Sequence, residues 1–235
     1  MKKYSPKNKI GSSDVAGLLE ILSRAYPDAC CALHYHDPWQ LLVAVILSAQ
    51  CTDARVNMVT PALFRRFPTV DALSRAASSE VESMVRSTGF FRAKTKSILG
   101  AAKIIVDCFQ GRVPSTMEEM LILPGVARKT ANVVLGTAFG ISSGIVVDTH
   151  VSRITQRLGL SRSTDAAKIE QDLMRIIPQT AWISFAHQVI FHGRRVCKAR
   201  NPECSQCPLV QLCPFPPSRH SGSGPRVPAK PKPVR

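Results

Sequence analysis

The chain has 235 residues, 45% of them hydrophobic, which is enough for one substantial core or two smaller ones. Its 31 Lys and Arg against 16 Asp and Glu leave a net charge of +15, which indicates a polyanionic partner, either nucleic acid or an acidic membrane surface. The longest apolar run, residues 41–47, is far too short to span a bilayer, and no hydrophobic signal core follows residues 1–6. We therefore expect a cytoplasmic protein that binds nucleic acid and no membrane.

Nearly every segment of the chain has the apolar periodicity of a helix. Apolar residues recur at the spacing i, i+3, i+4 and i+7 from Val15 to Leu22, and Pro27 ends that run. Residues 39–49 are apolar on nearly all sides, which indicates a buried central helix with the polar Gln50 at its end. No segment alternates convincingly as a strand would, so we predict an all-α fold. Further amphipathic stretches lie at about residues 53–66, 79–88 and 92–110.

A tight turn, Pro124-Gly125, separates two short predicted helices in the middle of the chain. Ser115 and Glu118 have the S-x-x-E spacing of a capping box, which predicts a helix from there to about Leu123. Residues 130–139 are predicted to form the second helix, which Gly140 ends. Because the first amides of a helix have no partner within it, such a turn is a candidate site for a phosphate.

Lys129 lies at the start of the second of these helices and has two possible roles. As one more cation of a basic protein, it would contact a DNA phosphate, which is the commoner role. As an amine nucleophile, it would attack a sugar carbon and form a Schiff base. The positive end of a helix dipole and partial burial would both oppose the ammonium and favour the neutral amine. The position of Lys129 alone leaves both roles open.

Four of the eight cysteines form the pattern C-x6-C-x2-C-x5-C in a short, proline-rich segment. In a cytosolic protein such a group indicates a metal rather than disulfides. Zinc sites with four cysteines usually contain two close C-x2-C pairs, and only one is present here, so the wider spans favour an iron–sulfur cluster, with zinc as the alternative. The four candidate ligands are Cys197, Cys204, Cys207 and Cys213.

The cysteine segment is also basic, and the remaining cysteines are scattered. Its cations are interpreted as contacts with a phosphate backbone, although a solvated face is the alternative. They are Arg194, Arg195, Lys198 and Arg200. The other cysteines are predicted to be ordinary small core residues, and they are Cys30, Cys31, Cys51 and Cys108.

The hairpin with Lys129, the segment Val147-Asp148-Thr149-His150 and the four-cysteine loop together closely resemble the endonuclease III family of DNA glycosylase/AP lyases. The likeness spans about residues 14–214 and includes the segments Leu47-Ser48-Ala49-Gln50 and Thr88-Gly89. It implies an all-α, two-lobed helix–hairpin–helix DNA glycosylase fold, with a six-helix barrel, a domain that carries a [4Fe-4S] cluster and a DNA groove between them.

The implied domain boundaries follow from the same resemblance. The barrel would comprise residues 31–141, with the helix–hairpin–helix at about 116–139. The cluster domain would comprise residues 12–30 and 142–215. Residues 1–11 would be a flexible basic N-terminus. Residues 216–235 hold six prolines, five Lys or Arg and no acid, so we predict a disordered basic tail there.

The resemblance also implies the chemistry and the residues that carry it. Lys129 matches the nucleophile of the family and Asp148 its essential carboxylate, while the four cysteines match the cluster ligands. The implied activity is removal of damaged bases, with oxidised pyrimidines expected, through a lysine Schiff base, followed by β-elimination 3′ to the abasic site. Asp148 also suits the N-cap of a helix that ends at Gly159, and the two roles are compatible.

Several residues match the family's DNA contacts. Gln50 matches the residue that fills the gap left by an extruded nucleotide, although a solvated helix end is the alternative. Phe90 occupies the wedge position, where the family commonly has an aliphatic residue, although Phe90 and Phe91 could both be core. Ala127 replaces a glycine of many members; it would be strained at positive φ but favourable as the first helical residue, which we expect. The other predicted contacts are Gly125, Arg128, Lys198 and Arg200.

Two other functions fit part of the pattern. An adenine-mismatch glycosylase shares the implied fold and cluster, but it would need a glutamate on the buried helix, and residues 41–49 contain no acid. A non-catalytic iron–sulfur module could use the cluster and hairpin only to hold duplexes. The expected partner is double-stranded DNA that contains damaged bases or abasic sites, and we expect a monomer, associated with the nucleoid if the protein is bacterial. No residue reveals which lesion is preferred.

Overall fold

The computed structural model describes residues 12–215. Within that range the backbone forms eleven α-helices and three short 3-10 turns and contains no β-strand, so the predicted all-α class is confirmed. None of these helices is long and apolar enough to cross a membrane. The predicted basic segments at residues 1–11 and 216–235 lie outside the described residues. In chain order the helices are α1 (Ser12–Ala25), α2 (Pro38–Leu47), α3 (Asp53–Arg66), α4 (Val70–Ser74), α5 (Ser78–Val85), α6 (Phe91–Phe109), α7 (Met117–Ile122), α8 (Arg128–Phe139), α9 (Thr149–Leu158), α10 (Ala166–Ile176) and α11 (Trp182–Arg195).

The chain divides into two compact units. One comprises Cys31–Ser143 and so contains α2 to α8. The other comprises the described residues up to Cys30 and from Gly144 onward, with α1, α9, α10 and α11. Each unit has its own hydrophobic core.

The buried helix α2 is the centre of the first unit. It begins at Pro38 because Asp37 Oδ1 accepts a hydrogen bond from the Gln40 amide at 2.8 Å, and because proline has no amide to leave unpaired at the first helical position. Its apolar side chains are buried on all sides, as predicted, and it packs against α3, α6 and α8. The helix ends at Leu47, two residues earlier than expected, and Gln50 lies in the turn that follows.

The short helix α4 is not signalled by any periodicity. Its five residues are too few for a helical stripe, but the Thr69 hydroxyl accepts a hydrogen bond from the Ala72 amide at 3.1 Å and caps it. Val70 and Leu73 are buried, and α4 packs against α6. A cap followed by two apolar residues was the only local sign of this helix.

The second unit has its core where α11 packs against α1 and α9. Leu18 and Leu22 of α1, Ile154 of α9, and Phe185 and Val189 of α11 are all buried there. A very amphipathic α10 adds its apolar face to the same core, through residues that include Ile169 and Leu173. This core supports both the segment of Asp148 and the cysteine loop.

The scattered cysteines correct one expectation. Cys31 and Cys51 are half-buried and pack against the core of the first unit, but Cys30 and Cys108 are exposed. The prediction that all four are core residues is therefore wrong for these two. Cys30 lies in the connection after α1, and Cys108 lies near the end of α6, beyond Ile105, which is the last buried residue of that helix.

Candidate active site

The helix–hairpin–helix comprises α7, the connection at residues 123–127 and α8. The capping box of α7 lies one residue later than expected: the Glu119 amide donates to Thr116 Oγ1 at 3.3 Å, and the Thr116 hydroxyl donates to Glu119 Oε2 at 2.8 Å. Ser115 and Glu118 have the same spacing, so the pattern fitted two registers. The register that forms places Met120 in the core, where it is fully buried.

Gly125 fixes the turn of the hairpin. Its φ is +78°, in the left-handed region that favours glycine. A Cβ at this position would lie 2.6 Å from Ser97 Cβ and 2.7 Å from Ser97 Oγ, so the hairpin also passes too close to α6 for any side chain. The Val126 amide closes the turn with a hydrogen bond to the Leu123 carbonyl at 3.1 Å. Glycine is therefore required here for two independent reasons.

Ala127 is the N-cap of α8 rather than its first helical residue, which corrects the expectation by one position. Its φ of −98° and ψ of 170° are extended, so the alanine is unstrained. Helix α8 begins at Arg128, two residues before the expected start, and the predicted end holds because Gly140 adopts φ +67° after Phe139. Among the described residues no side chain caps α8, so its first amides can accept an anion from outside the chain.

Lys129 is the second residue of α8 and is exposed. The expectation that Lys129 is partly buried is therefore wrong for the free protein. Exposure also leaves the amine open to a reacting partner, since little of the protein covers it.

Three exposed non-glycine residues of the first unit have left-handed backbones, Gln50, Phe90 and Gln110, and the last of these is the C-cap of α6. Gln50 has φ 52° and Phe90 has φ 47°, and 68% of Phe90 is exposed. Phe91 instead is half-buried against the core, with the guanidinium groups of Arg86 and Arg92 5.9 and 5.6 Å from its ring centroid. The two neighbouring phenylalanines are therefore not equivalent: Phe90 faces solvent and Phe91 packs.

Lys94 hydrogen-bonds the ends of two chain segments, and the sequence patterns did not single it out. Its Nζ donates to the Leu47 carbonyl at 2.8 Å and to the Thr88 carbonyl at 2.7 Å, and burial lowers the pKa of this lysine. A signal was present: Lys94 lies on the same stripe of α6 as Ile98, Ala101 and Ile105, which are buried. A lysine at a core-facing position of an amphipathic helix has to find acceptors inside the protein.

Asp148, in the second unit, is the N-cap of α9, as predicted. Its Oδ1 accepts hydrogen bonds from the amides of His150 and Val151, both at 2.8 Å, and its Oδ2 lies 3.0 Å from His150 Nδ1. The carboxylate is largely covered, with 18% of the side chain exposed. The cap fixes one oxygen and His150 orients the other, so the carboxylate has a single, well-defined direction.

The four cysteines of the second unit surround one cavity of about 60 Å³. Apolar side chains, including Ile154, Leu158 and Leu209, complete its lining. No three His, Cys, Asp or Glu among residues 12–215 are placed to share a single metal ion. Four cysteines that line one cavity fit a [4Fe-4S] cluster, which four thiolates would hold.

Two of these thiols, Cys207 and Cys213, are harder to ionise than a free cysteine. Burial, with a smaller contribution from the neighbouring cysteines, raises the pKa of Cys207 to about 12. Burial also raises the pKa of Cys213. Cys207 and Cys213 would hold a cluster as thiolates, so both would have to give up their protons when it binds.

Hydrogen-bonding groups surround the cysteine sulfurs. His192 is buried; its Nδ1 hydrogen-bonds the Tyr26 hydroxyl at 2.7 Å, and its Nε2 lies 3.6 Å from Cys207 Sγ. Arg157 donates to Cys197 Sγ at 3.1 Å and to the Lys198 carbonyl at 2.9 Å. Such donors stabilise thiolates and orient them toward a metal group.

The cations of the cysteine loop differ in how far they are already engaged. Arg195 pairs with Asp28 at 3.1 Å, and Lys198 pairs with Glu203. Arg200 is exposed. Part of the positive charge that the sequence placed in this loop is thus compensated within it, so the DNA contacts predicted for Lys198 and Arg200 stay predictions.

The chain is similar in sequence to known DNA repair proteins. A family model described as HhH-GPD superfamily base excision DNA repair protein matches residues 43–179, and one described as the iron-sulfur binding domain of endonuclease III matches residues 197–213. The endonuclease III of Synechocystis sp. is 58% identical over 84% of this chain and 90% of its own length. That of Bacillus subtilis is 43% identical over 83% and 89%, respectively.

A solved structure matches in three dimensions as well. It is described as a trapped endonuclease III–DNA covalent intermediate; the TM-score is 0.81 at 43% identity, covering 86% of this chain and 95% of the other. The family expected from the motifs is thereby confirmed, as is the iron–sulfur cofactor over the zinc alternative. The chain belongs to the endonuclease III family of DNA glycosylase/AP lyases, within the HhH-GPD superfamily of base excision repair proteins, and its cysteine loop binds a [4Fe-4S] cluster.

Proposed function

We propose that this protein excises damaged pyrimidines, oxidised ones in particular, from duplex DNA and cuts the strand at the resulting abasic site, with Lys129 as its nucleophile. The observation that carries the proposal is the placement of Lys129: exposed, in the first turn of α8, directly after a hairpin that glycine alone permits. The uncapped amides of α8 suit a phosphate. The covalent DNA intermediate named for the 43% identical relative supports the same kind of step here.

The proposed reaction proceeds through a Schiff base between Lys129 and the sugar. The neutral amine of Lys129 bonds to C1′ of the sugar as the C1′–N bond to the base breaks, and the base leaves with that electron pair and takes up a proton. The nitrogen loses a proton and its electron pair then expels O4′, so that the ring opens, O4′ takes up a proton and an iminium remains at C1′. Loss of the C2′ proton then allows the C3′–O bond to break, so that the phosphate departs with its electrons. Water hydrolyses the remaining imine and returns the lysine as a free amine.

Asp148 is proposed as the carboxylate of this reaction. Its charge would stabilise cationic character on the sugar, and its oxygen would assist transfer of the protons that leave and arrive. The bonds to the amides of α9 support this role, because a carboxylate fixed in advance needs little reorganisation.

Gln50 and Phe90 are proposed to enter the duplex where a nucleotide has left it. A base must leave the stack before its C1′ can be attacked, and the gap has to be filled. Phe90 is exposed and aromatic, as suits a wedge between bases, and Gln50 has an exposed amide that can hydrogen-bond an orphaned base. In the same proposal Gly125, Ala127 and Arg128 hold the phosphate backbone.

The [4Fe-4S] cluster supplies four iron–thiolate bonds that cross-link the loop of Cys197, Cys204, Cys207 and Cys213 when it is bound. The chain's own contribution is to pack and orient that loop. Arg157 holds the carbonyls of Lys198 and Ala199 at 2.9 and 3.0 Å, which fixes the basic segment to α9.

Borohydride trapping on an abasic duplex tests the nucleophile. Borohydride reduces an imine to a stable amine, so the protein should form a covalent adduct with DNA, and Lys129→Ala should bind the same duplex but form no adduct and cut nothing. Lys103→Ala, which removes an exposed lysine of α6, is the matched control and should behave as the parent does. Strand cleavage retained by Lys129→Ala would overturn the mechanism, and the absence of any adduct with the parent would favour a non-catalytic binding module.

A panel of duplexes, each with one damaged or mismatched base, tests the substrate. We expect excision of oxidised pyrimidines and little of undamaged adenine in a mismatch. Helix α2 has no acid between residues 41 and 47, where an adenine-mismatch enzyme would need its glutamate. Preferential excision of mispaired adenine would contradict the proposal.

We also propose that the protein acts as a monomer on chromosomal DNA in the cytoplasm, associated with the nucleoid in a bacterium. The net charge of +15 supports both statements, since like-charged copies repel one another and the excess attracts a polyanion. Light scattering with and without a short duplex measures the oligomeric state, and a dimer in free solution would contradict the proposed monomer.

A further inference from the structure

The ammonium of Lys94 is buried where two chain segments end. Only 5% of this residue is exposed. One acceptor of its Nζ is the carbonyl of Leu47, the last residue of α2, and the other is the carbonyl of Thr88, the last residue of a 3-10 turn. Lys94 thus ties the end of one segment to the end of another.

Two hydrogen bonds offset the free-energy cost of burying this ammonium. Taking an ammonium out of water is strongly unfavourable unless its protons find acceptors. Both acceptors are carbonyls at helix ends, which lack partners inside their own helices and lie at the negative end of the local dipole. A methionine would fill the same position without the desolvation penalty, so what the lysine adds is the pair of bonds between the two segments.

The segments that Lys94 joins carry the two residues proposed to enter DNA. Gln50 follows Leu47 by three residues, and Phe90 follows Thr88 by two. Both have left-handed backbones, at φ 52° and 47°, which a non-glycine residue keeps only where its surroundings hold it. The backbone amide of Lys94 also donates to the Phe90 carbonyl at 3.0 Å. One residue therefore holds the Phe90 segment through its amide and through its side chain.

We infer that Lys94 is a positioning residue, whose ammonium fixes the Gln50 and Phe90 segments relative to each other so that both side chains enter the duplex at one lesion. The inference rests on the proposed function, because it assigns Lys94 to the step in which the nucleotide leaves the stack. Lys94 itself contacts no DNA, since its charge is covered by the protein. Loss of its bonds should impair nucleotide extrusion and leave the lysine chemistry of α8 intact.

The test compares Lys94→Met with Lys103→Met, which removes the same charge from an exposed position of α6. We expect Lys94→Met to excise an oxidised pyrimidine from duplex DNA about tenfold more slowly in single turnover, as the loss of charged hydrogen bonds would produce. Trapping on single-stranded abasic DNA, which has no partner strand, should be unchanged. A 2-aminopurine opposite the lesion should show a smaller fluorescence change on binding. Lys103→Met should match the parent in all three measurements, and Lys94→Arg, which keeps charge and donors, should recover part of the loss.

Two further measurements separate positioning from general destabilisation. Amide hydrogen exchange should rise at residues 48–51 and 88–90 in Lys94→Met, while the amides of α8 stay protected. In a Gln50→Ala, Phe90→Ala background, Lys94→Met should reduce excision no further, because it acts through those residues. Parental excision and fluorescence by Lys94→Met, or a full additional loss in that background, would overturn the inference. The fluorescence and exchange measurements need no imine, so they decide the inference even if the parent forms no adduct and the proposed function fails.

Discussion

The two oxygens of Asp148 have different partners, which makes its two roles separable. Oδ1 accepts the hydrogen bonds of two amides of α9, and Oδ2 faces His150 Nδ1. A helix cap needs only an acceptor oxygen, whereas stabilising a cationic sugar needs the negative charge. Asparagine keeps the acceptor oxygen and loses the negative charge.

Asp148→Asn is therefore expected to keep the fold and lose the reaction. Asparagine caps helices about as well as aspartate, so the free energy of unfolding should change by less than about 1 kcal/mol. Excision in single turnover should fall by about a hundredfold, the size typical of a lost acid–base group. Urea unfolding measures the free energy of unfolding, and gel-resolved single-turnover assays measure the rate of excision.

Asp148→Ala is the matched comparison, since it removes cap and charge alike. It should unfold more easily by about 1 kcal/mol and be equally slow. An Asp148→Asn protein with parental excision would show that only the cap matters.

Individual residues also mark the limit of prediction from the sequence. Asp148 as a cap, Gly140 as a helix end and the four cysteines could be named because their patterns are local. The position of Lys94 on the apolar stripe of α6 indicates its burial but not its partners, because its two acceptors lie 47 and 6 residues away along the chain and the bonds exist only once α2 and α6 pack. The exposure of Lys129, Cys30 and Cys108 depends likewise on packing that no short pattern contains.

Among the elements, α9 and α11 are tightly packed at Gly193. A Cβ there would lie 2.8 Å from His150 Cδ2, 3.0 Å from His150 Cβ and 2.9 Å from Ile154 Cδ1. His150 is the neighbour of the Asp148 carboxylate, and Ile154 is a buried core residue. The packing of α11 against α9 thus depends on the absence of a side chain at Gly193. The same packing sets the position of His150, the neighbour of Asp148.

Gly193→Ala is expected to destabilise the second unit and slow excision. Alanine would favour the helix by about 1 kcal/mol, but overpacking a core costs about 1–3 kcal/mol. Crowding should prevail, because His150 Cβ is tied to the backbone of α9 and cannot rotate away. Thermal melting should shift downward, and His150 should move with a loss of excision.

Gly17→Ala is the control, since Gly17 lies in α1 with no atom within 4 Å of an added Cβ. That variant should be more stable than the parent and equally active. A stabilised Gly193→Ala would mean that α9 and α11 can move apart without loss.

Helices were predictable where their stripes are long and their caps unambiguous. The stretches at 53–66 and 92–110 correspond closely to α3 and α6. The hairpin was harder, because Ser115 with Glu118 and Thr116 with Glu119 fit one pattern, and burial of Met120 decides between them. Sequence patterns fixed the kind of element there, and packing fixed its register.

At the scale of the whole molecule, the two units differ in how the chain builds them. Cys31–Ser143 is continuous, whereas α1 joins α9, α10 and α11 across more than a hundred intervening residues. The apolar stripe of α1 shows that it needs a partner but not which one. Composition and periodicity therefore indicated enough core for two units, while the assignment of α1 came from the family resemblance.

The net charge of the whole chain leads to a prediction about salt. Residues 216–235 contribute five of the positive charges and no acid, so a chain that ends at Phe215 keeps the four cysteines and carries +10 in place of +15. Each phosphate contact that is lost lowers the slope of log affinity against log salt by about 0.9. We expect the shortened protein to bind undamaged duplex more weakly at low salt, with a shallower slope, so that the two proteins converge as salt rises. Saturating single-turnover excision should stay unchanged, because every residue of the proposed reaction is retained.

A full-length variant with glutamine at Arg219, Arg226, Lys230, Lys232 and Arg235 separates charge from length and should behave like the shortened chain. Equal affinities at low salt, measured by fluorescence anisotropy, would show that these charges do not contact DNA.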